Sequence, residues 1–247
     1  MQLWLCPFLA FLLGSIPFGL LIAKAKGINI RQHGSGNIGA TNVLRVVGKK
    51  YGITCLILDA LKGFIPVVIA VNLILIEGKR GGLLHIDGLE SFAMTLPASQ
   101  QFLGQLMHVV TALAAILGHN YSPWVGFRGG KGIATSAGVL LALMPAGVGV
   151  LAIVWCAVFA ITRYVSLASI VAAAVLPLMT HYGARFHHTN NDESLPTLWE
   201  AGTWNKPLFF FSLLVAVLAI WKHRTNIQRL RTGTEHRFSR KSKNADA

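Results

Sequence analysis

Acidic residues are scarce in this chain: nine Asp and Glu stand against 22 Lys and Arg in 247 residues, a net charge of +13. Charge of either sign is thin, at 13% of residues, whereas 53% are hydrophobic and the mean hydropathy is +0.57. That profile excludes an ordinary soluble domain and fits an integral membrane protein. Cysteine is equally sparse. Cys6, Cys55 and Cys156 stand alone in apolar runs without a Cys-x-x-Cys pair, so they read as small core or lipid-facing residues and not as a disulfide or metal framework. The first 23 residues carry no charged side chain, and Lys24, Lys26 and Arg31 follow the apolar run, the reverse of a signal peptide. The segment is expected to stay as a span with the N-terminus outside. No internal repeat is evident, which argues against a carrier built from repeated halves. The high basicity could suit nucleic acid, but the cations sit in short segments beside apolar runs, which is a topology signal first; no nucleic-acid partner is expected.

The apolar runs imply an all-α, polytopic integral membrane protein of about seven transmembrane helices. Runs at 3–23, 51–76, 102–117, 164–182 and 207–221 are candidate spans. The charge-free stretch 132–162 is too long for one and reads as a hairpin of two short helices, broken at Pro145 to Gly149. Asp59 and Lys62, three apart within the second run, can pair on one helix face. With the N-terminus outside and the C-terminus cytoplasmic, the inside segments 24–50, 128–131, 163 and 222–243 hold 17 of the 22 Lys and Arg, as the positive-inside rule requires. The chain then divides into one membrane-embedded domain, 1–226, and a basic tail, 227–247.

The stretch from Arg31 to Arg45 carries the densest signal. Gly34, Gly36 and Gly39 let the backbone turn tightly and aim several N–H groups at one point, and Ser35, Asn37, Thr41 and Asn42 add neutral polar groups. If Asn37 caps a helix running toward Gly48, Thr41 and Arg45 share one face above a helix N-terminus that favours negative charge. Two familiar patterns match only in letters. Gly34-Ser-Gly-Asn-Ile-Gly39 is G-x-G-x-x-G, with Asp59 about twenty residues on, yet a membrane helix precedes it where a dinucleotide fold needs a strand. Gly34 and Gly39 have P-loop spacing, but Ala40 replaces the phosphate-binding lysine. An ordinary interfacial loop is the plainer alternative.

The inferred topology gathers 31–45, 118–131 and 223–235 on one membrane face, and this points to a phosphorylated substrate. At about 4 Å and an effective dielectric near 20, one cation–phosphate pair is worth roughly 4 kcal/mol before desolvation. At these residues the chain resembles the bacterial acyl-phosphate:glycerol-3-phosphate acyltransferases. The resemblance rests on Gly34-Ser-Gly-Asn-Ile-Gly-Ala-Thr-Asn42 with Arg45, on Gly118-His119 followed by Gly129-Gly130-Lys131-Gly132, on Ser166-Leu-Ala-Ser169, and on His223-x-x-Asn226 leading to Gly233-x-Glu235. It implies transfer of a fatty acyl group from acyl phosphate to the 1-hydroxyl of glycerol 3-phosphate. The product is lysophosphatidic acid, in the first acylation of phospholipid biosynthesis, at the cytoplasmic face of the bacterial inner membrane. Neither coenzyme A, nor metal, nor another cofactor is implied. The peripheral enzyme that makes acyl phosphate is a candidate partner, alongside membrane lipid.

The resemblance implies catalytic roles for Ser35, Arg45, Lys131, His223 and Asn226. It assigns substrate binding to Gly34, Gly36, Asn37, Gly39, Thr41, Asn42, His119, Gly129, Gly130, Gly132, Ser166 and Ser169. Acyl phosphate has a good leaving group, so positioning and oxyanion stabilisation matter more than a strong nucleophile. His223 is a general base or a hydrogen-bonding residue, and His119 an orienter of its loop. His187 and Asp192 show the H-x-x-x-x-D spacing of unrelated coenzyme-A-dependent acyltransferases, but they lie in an outside loop and read as chance. A carrier of phosphate esters, or a structural subunit whose basic edge meets anionic lipid, are the competing classes.

Overall fold

The computed structural model describes residues 2–78, 83–186 and 206–238. The first apolar run is split by Pro17 into α1 (Gln2–Ser15) and α2 (Phe18–Lys24). Proline lacks an N–H and pushes the preceding residue out of the helical region, so carbonyls at the break lose their helical partners. The Ile16 carbonyl instead accepts from Lys62 Nζ at 2.7 Å. The same ammonium lies 2.7 Å from Asp59 Oδ1, with both side chains buried. The i, i+3 pair expected from spacing therefore forms, and it also mends the broken helix beside it.

After the short α3 (Ala40–Val46), α4 (Lys49–Leu73) runs for 25 residues and leads into β1 (Ile74–Ile76). This strand pairs in parallel with β2 (Met94–Leu96), Ile74 opposite Met94 and Ile76 opposite Leu96. The all-α expectation is corrected by this one small sheet. Three-residue strands leave no period-2 signal, and this pairing depends on the Asn72 side chain. Its amide donates to the Leu84 carbonyl at 2.9 Å and accepts from Ile86 N–H at 3.1 Å, folding the polar connection back onto α4.

Helices α5 (Gln101–Asn120), α6 (Ile133–Leu143), α7 (Pro145–Thr162), α8 (Val165–Phe186), α9 (Lys206–Lys222) and α10 (Arg224–Arg231) complete the described chain. The hairpin expected in 132–162 exists, but its break is corrected to Met144 alone. Pro145 stands at N1 of α7, where a missing N–H costs nothing, so the Pro-Ala-Gly-Val-Gly run is helical. The core lies between α4, α5 and α6, where Val67, Ala112, Ile116 and Val139 are buried. Gly14 lies against the Ala115 backbone and Gly138 against that of Ala60, so small residues let these helices touch closely.

Among the described residues four stretches are long and apolar enough to cross a bilayer: Leu3–Lys24, Lys49–Leu73, Ala98–Val125 and Pro145–Thr162. A fifth follows if α9 and α10, bent by 54°, form one span, and α6 and Val165–His181 are shorter apolar helices. The expected count of seven is reached only by counting these short helices as spans; by length and composition the described residues give four, or five with the bent pair. The division placed after Asn226 falls inside α10. His187 and Asp192 lie outside the described residues.

Candidate active site

The 31–45 stretch folds around one side chain. Asn42, 2% exposed, accepts from Ser35 N–H at 2.9 Å and donates to the carbonyls of Asn37 at 2.9 Å, His33 at 3.1 Å and Ile30 at 3.3 Å. Gly34 packs on this amide with φ of +60°, a backbone region that glycine enters without strain. The expected helix is shorter than the sequence suggested. Its N-cap is Gly39 without a side-chain cap, Asn37 Oδ1 instead accepts from Gly39 N–H at 3.1 Å, and the helix ends at Val46. Thr41 and Arg45 remain one turn apart.

The second motif is held from below. Ser122 Oγ donates to the Ser15 carbonyl at 2.6 Å, and Trp124 Nε1 donates to Ser15 Oγ at 2.7 Å. Gly129 and Gly130 N–H groups donate to the carbonyls of Asn120 and His119, both at 3.2 Å. Arg31 Nη2 donates to the Arg128 carbonyl at 2.7 Å, joining the two motifs across 97 residues.

The third motif closes the site. Lys131 Nζ donates to Asn226 Oδ1. Glu235 Oε1 then accepts from Asn226 Nδ2 at 2.6 Å and from Ser166 Oγ at 2.7 Å, while Oε2 lies 3.2 Å from Arg229 Nε. The motif includes Glu235 but implies no role for it. It is the hub that sequence reasoning missed, and the signal was there: a lone carboxylate inside a basic run needs cations or donors around it.

Ser35, Thr41, Arg45, Lys131, Ser166 and Asn226, with Asn37, Gly39, Asn42, Glu235 and His236, line a cavity of about 70 Å³. A cleft of about 560 Å³ adjoins it, sharing Ser35, Asn37 and Lys131 and adding Gly36, Gly129 and Gly130 with the cations of Arg31, Arg128, Lys222, Arg224 and Arg229. Burial, reinforced by Arg229 and Arg45 and opposed by Glu235, pulls the Lys131 ammonium down to about 8. An anion entering beside Lys131 reverses that loss and draws the proton back.

Five expected residues stand apart from these cavities: Gly34, which packs on the Asn42 amide, and His119, Ser169, Gly132 and His223. His119 is buried under Gly130, with Nδ1 3.7 Å from Asp59 Oδ1. Ser169 donates to the Val165 carbonyl at 2.9 Å and accepts from Trp155 Nε1 at 3.1 Å. Gly132 adopts a left-handed N-cap to α6. His223 is 3% exposed; its Nδ1 lies 2.7 Å from the Ala219 carbonyl and must carry the proton, so Nε2 holds the lone pair. Burial, then the charge of Lys131, lowers this imidazole to about 4, so it is neutral at pH 7.

A polytopic membrane protein with adjoining cation-lined cavities at the mouth of its helices belongs to the class that handles anionic esters at a bilayer. The model of the family described as glycerol-3-phosphate acyltransferase matches residues 4–233. A glycerol-3-phosphate acyltransferase of Aquifex aeolicus is 41% identical over 229 residues, 93% of this chain and 95% of that protein. One of Geotalea daltonii is 42% identical over 233 residues, covering 94% and 95%. Crystal structures of PlsY, an integral membrane glycerol 3-phosphate acyltransferase, superpose with TM-scores of 0.73 in the glycerol 3-phosphate form and 0.70 in the lysophosphatidic acid form. Each is 37% identical and covers 97% of this chain and 96% of the other. The chain belongs to the glycerol-3-phosphate acyltransferase family.

Proposed function

We propose that this protein transfers a fatty acyl group from acyl phosphate to the 1-hydroxyl of glycerol 3-phosphate, yielding lysophosphatidic acid and inorganic phosphate, without coenzyme A or a cofactor. The observation that carries this reading is the pair of adjoining basic cavities meeting at Ser35, Asn37 and Lys131, which gives two phosphate-bearing substrates a common boundary. The hydroxyl oxygen bonds to the acyl carbon, the carbon–oxygen bond to phosphate breaks, and the departing phosphate takes the hydroxyl proton. Arg45 grips one phosphate through its fork of donors. Lys131, tethered by Asn226, follows charge as it develops at the reacting acyl group. Ser35 and Thr41 supply neutral donors, and His223, its imidazole neutral, serves as a hydrogen-bonding residue and not as a base. Glu235 holds the site together by balancing its cations.

In the membrane, seven helices span with the N-terminus outside, and the site opens at the cytoplasmic face of the inner membrane. The enzyme that makes acyl phosphate reaches it from that side. The chain acts as one membrane-embedded acyltransferase unit, with a basic tail beyond it. Purified protein supplied with acyl phosphate and labelled glycerol 3-phosphate should produce labelled lysophosphatidic acid. Product formed from acyl coenzyme A, with none from acyl phosphate, would overturn the donor assignment.

A further inference from the structure

Arg45 is exposed at the rim of the smaller cavity and has no hydrogen-bond or ion-pair partner among the described residues. A long unpaired side chain samples many rotamers, and ordering it on a ligand costs conformational entropy. The charge of Glu235 attracts it without a direct ion pair, and one direct contact restrains it: the guanidinium carbon lies 5.8 Å from the ring centroid of Phe238. This residue lies past residue 233, the last that the family model matches.

The ring is itself held in place from several sides. Phe238 N–H donates to the Arg163 carbonyl at 3.0 Å, at the C-cap of α7. Its ring meets Phe159 edge-on, with centroids 5.7 Å apart and planes at 76°. Phe159 stacks on Trp155 at 5.1 Å, and the Trp155 indole is fixed by Ser169. One residue earlier, the Arg237 guanidinium lies 6.0 Å from the Tyr164 ring. The segment after α10 thus crosses to the corner between α7 and α8 and presents an anchored aromatic ring to Arg45.

We propose that Phe238 is a positioning residue that preorganises Arg45 for a phosphate. A ring attracts the guanidinium through its electron-rich face, so it restrains the cation without using any of the five N–H donors that a phosphate needs. A carboxylate partner would restrain Arg45 equally well but would compete with the ligand for those donors. This inference rests on the role of Arg45 given above.

Steady-state kinetics with glycerol 3-phosphate varied at saturating acyl phosphate provide the test. Phe238→Leu keeps an apolar side chain against Phe159 but removes the ring face, and should raise KM for glycerol 3-phosphate about two- to fivefold with little change in kcat, the range of an exposed cation–π contact. Phe238→Tyr should restore the parent value, which also controls for loss of fold. In an Arg45→Ala background, Phe238→Leu should add nothing. An unchanged KM in Phe238→Leu, or the same added factor without Arg45, overturns the positioning role. If Arg45→Ala itself leaves KM unchanged while Phe238→Leu raises it, the failure lies in the reading of Arg45.

Discussion

Replacing Asn42 by Ala tests whether the phosphate-facing loop is shaped by a single buried amide. The side chain has two N–H hydrogens serving three carbonyls and one oxygen accepting from Ser35 N–H, so truncation removes three hydrogens' worth of bonding. At about 1 kcal/mol net per bond this is about 3 kcal/mol. The Ile30 carbonyl keeps the His33 N–H as a partner at 3.4 Å when Asn42 is gone, so no orphaned acceptor adds to this. The loss of about 3 kcal/mol falls on the 30–42 segment and not on the helical core, so the loop should open while the bundle stays folded. With part of that cost absorbed by the loop's own reserve, kcat/KM should fall between about tenfold and a hundredfold. Asn42→Asp should be no milder, because its carboxylate keeps the acceptor for Ser35 but turns both donors into lone pairs facing carbonyls. Hydrogen exchange at 30–42, measured with kcat/KM, separates loop shaping from substrate contact. Parent-like exchange protection with an impaired kcat/KM, or a kcat/KM within threefold of the parent, would refute the argument.

Lys131 should set a pH dependence. Its ammonium titrates near 8 in the free protein against an ordinary 10.5, so kcat/KM should fall as pH rises through about 8 and the charged donor is lost. A bound phosphate raises that value, so the kcat limb should lie higher, and Lys131→Arg should move the kcat/KM limb beyond pH 10; an unmoved limb in that variant would assign it to another group. For stability the sign is opposite. The lowered native value means a penalty that is full below 8 and relieved between 8 and 10.5. Arg45→Lys should raise KM for glycerol 3-phosphate although charge is kept, because an ammonium cannot copy the fork; equal KM values would mean the guanidinium geometry is unused. Gly129→Ala should abolish turnover, since a Cβ there overlaps the His119 carbonyl, whereas Gly149→Ala, with open space around it, should behave like the parent; an active Gly129→Ala would show that the loop is free to shift. Finally, a cysteine at Thr232, in a background without the exposed Cys156, should resist an impermeant thiol reagent applied from outside, and prompt labelling would reject a cytoplasmic C-terminus.

Several features were legible in the chain because they are written in local order. Long charge-free runs mark the membrane helices, the four-residue spacing puts Thr41 and Arg45 on one face, and the three-residue spacing pairs Asp59 with Lys62. The glycine-rich motifs and their order point to the family, since a backbone that turns around an anion needs those residue types wherever it occurs. The break of the middle hairpin is narrower than its letters suggest, because proline at the first helical position leaves the same letters as a loop.

Other features needed the folded chain. Asn42 reads as a ligand for phosphate, yet its amide is spent on four backbone groups of its own loop. Lys131 meets Asn226 across 95 residues, and Ser166 meets Glu235 across 69. No period or spacing encodes such pairs; they exist because helix packing carries separate segments to one place. His119 and Ser169 look like site residues in sequence, but packing turns them toward Asp59 and Trp155. Phe238 belongs to no motif at all. It acquires a role because the chain beyond α10 is tied to the Arg163 carbonyl, and the ring that follows meets whichever cation the rest of the fold has placed there.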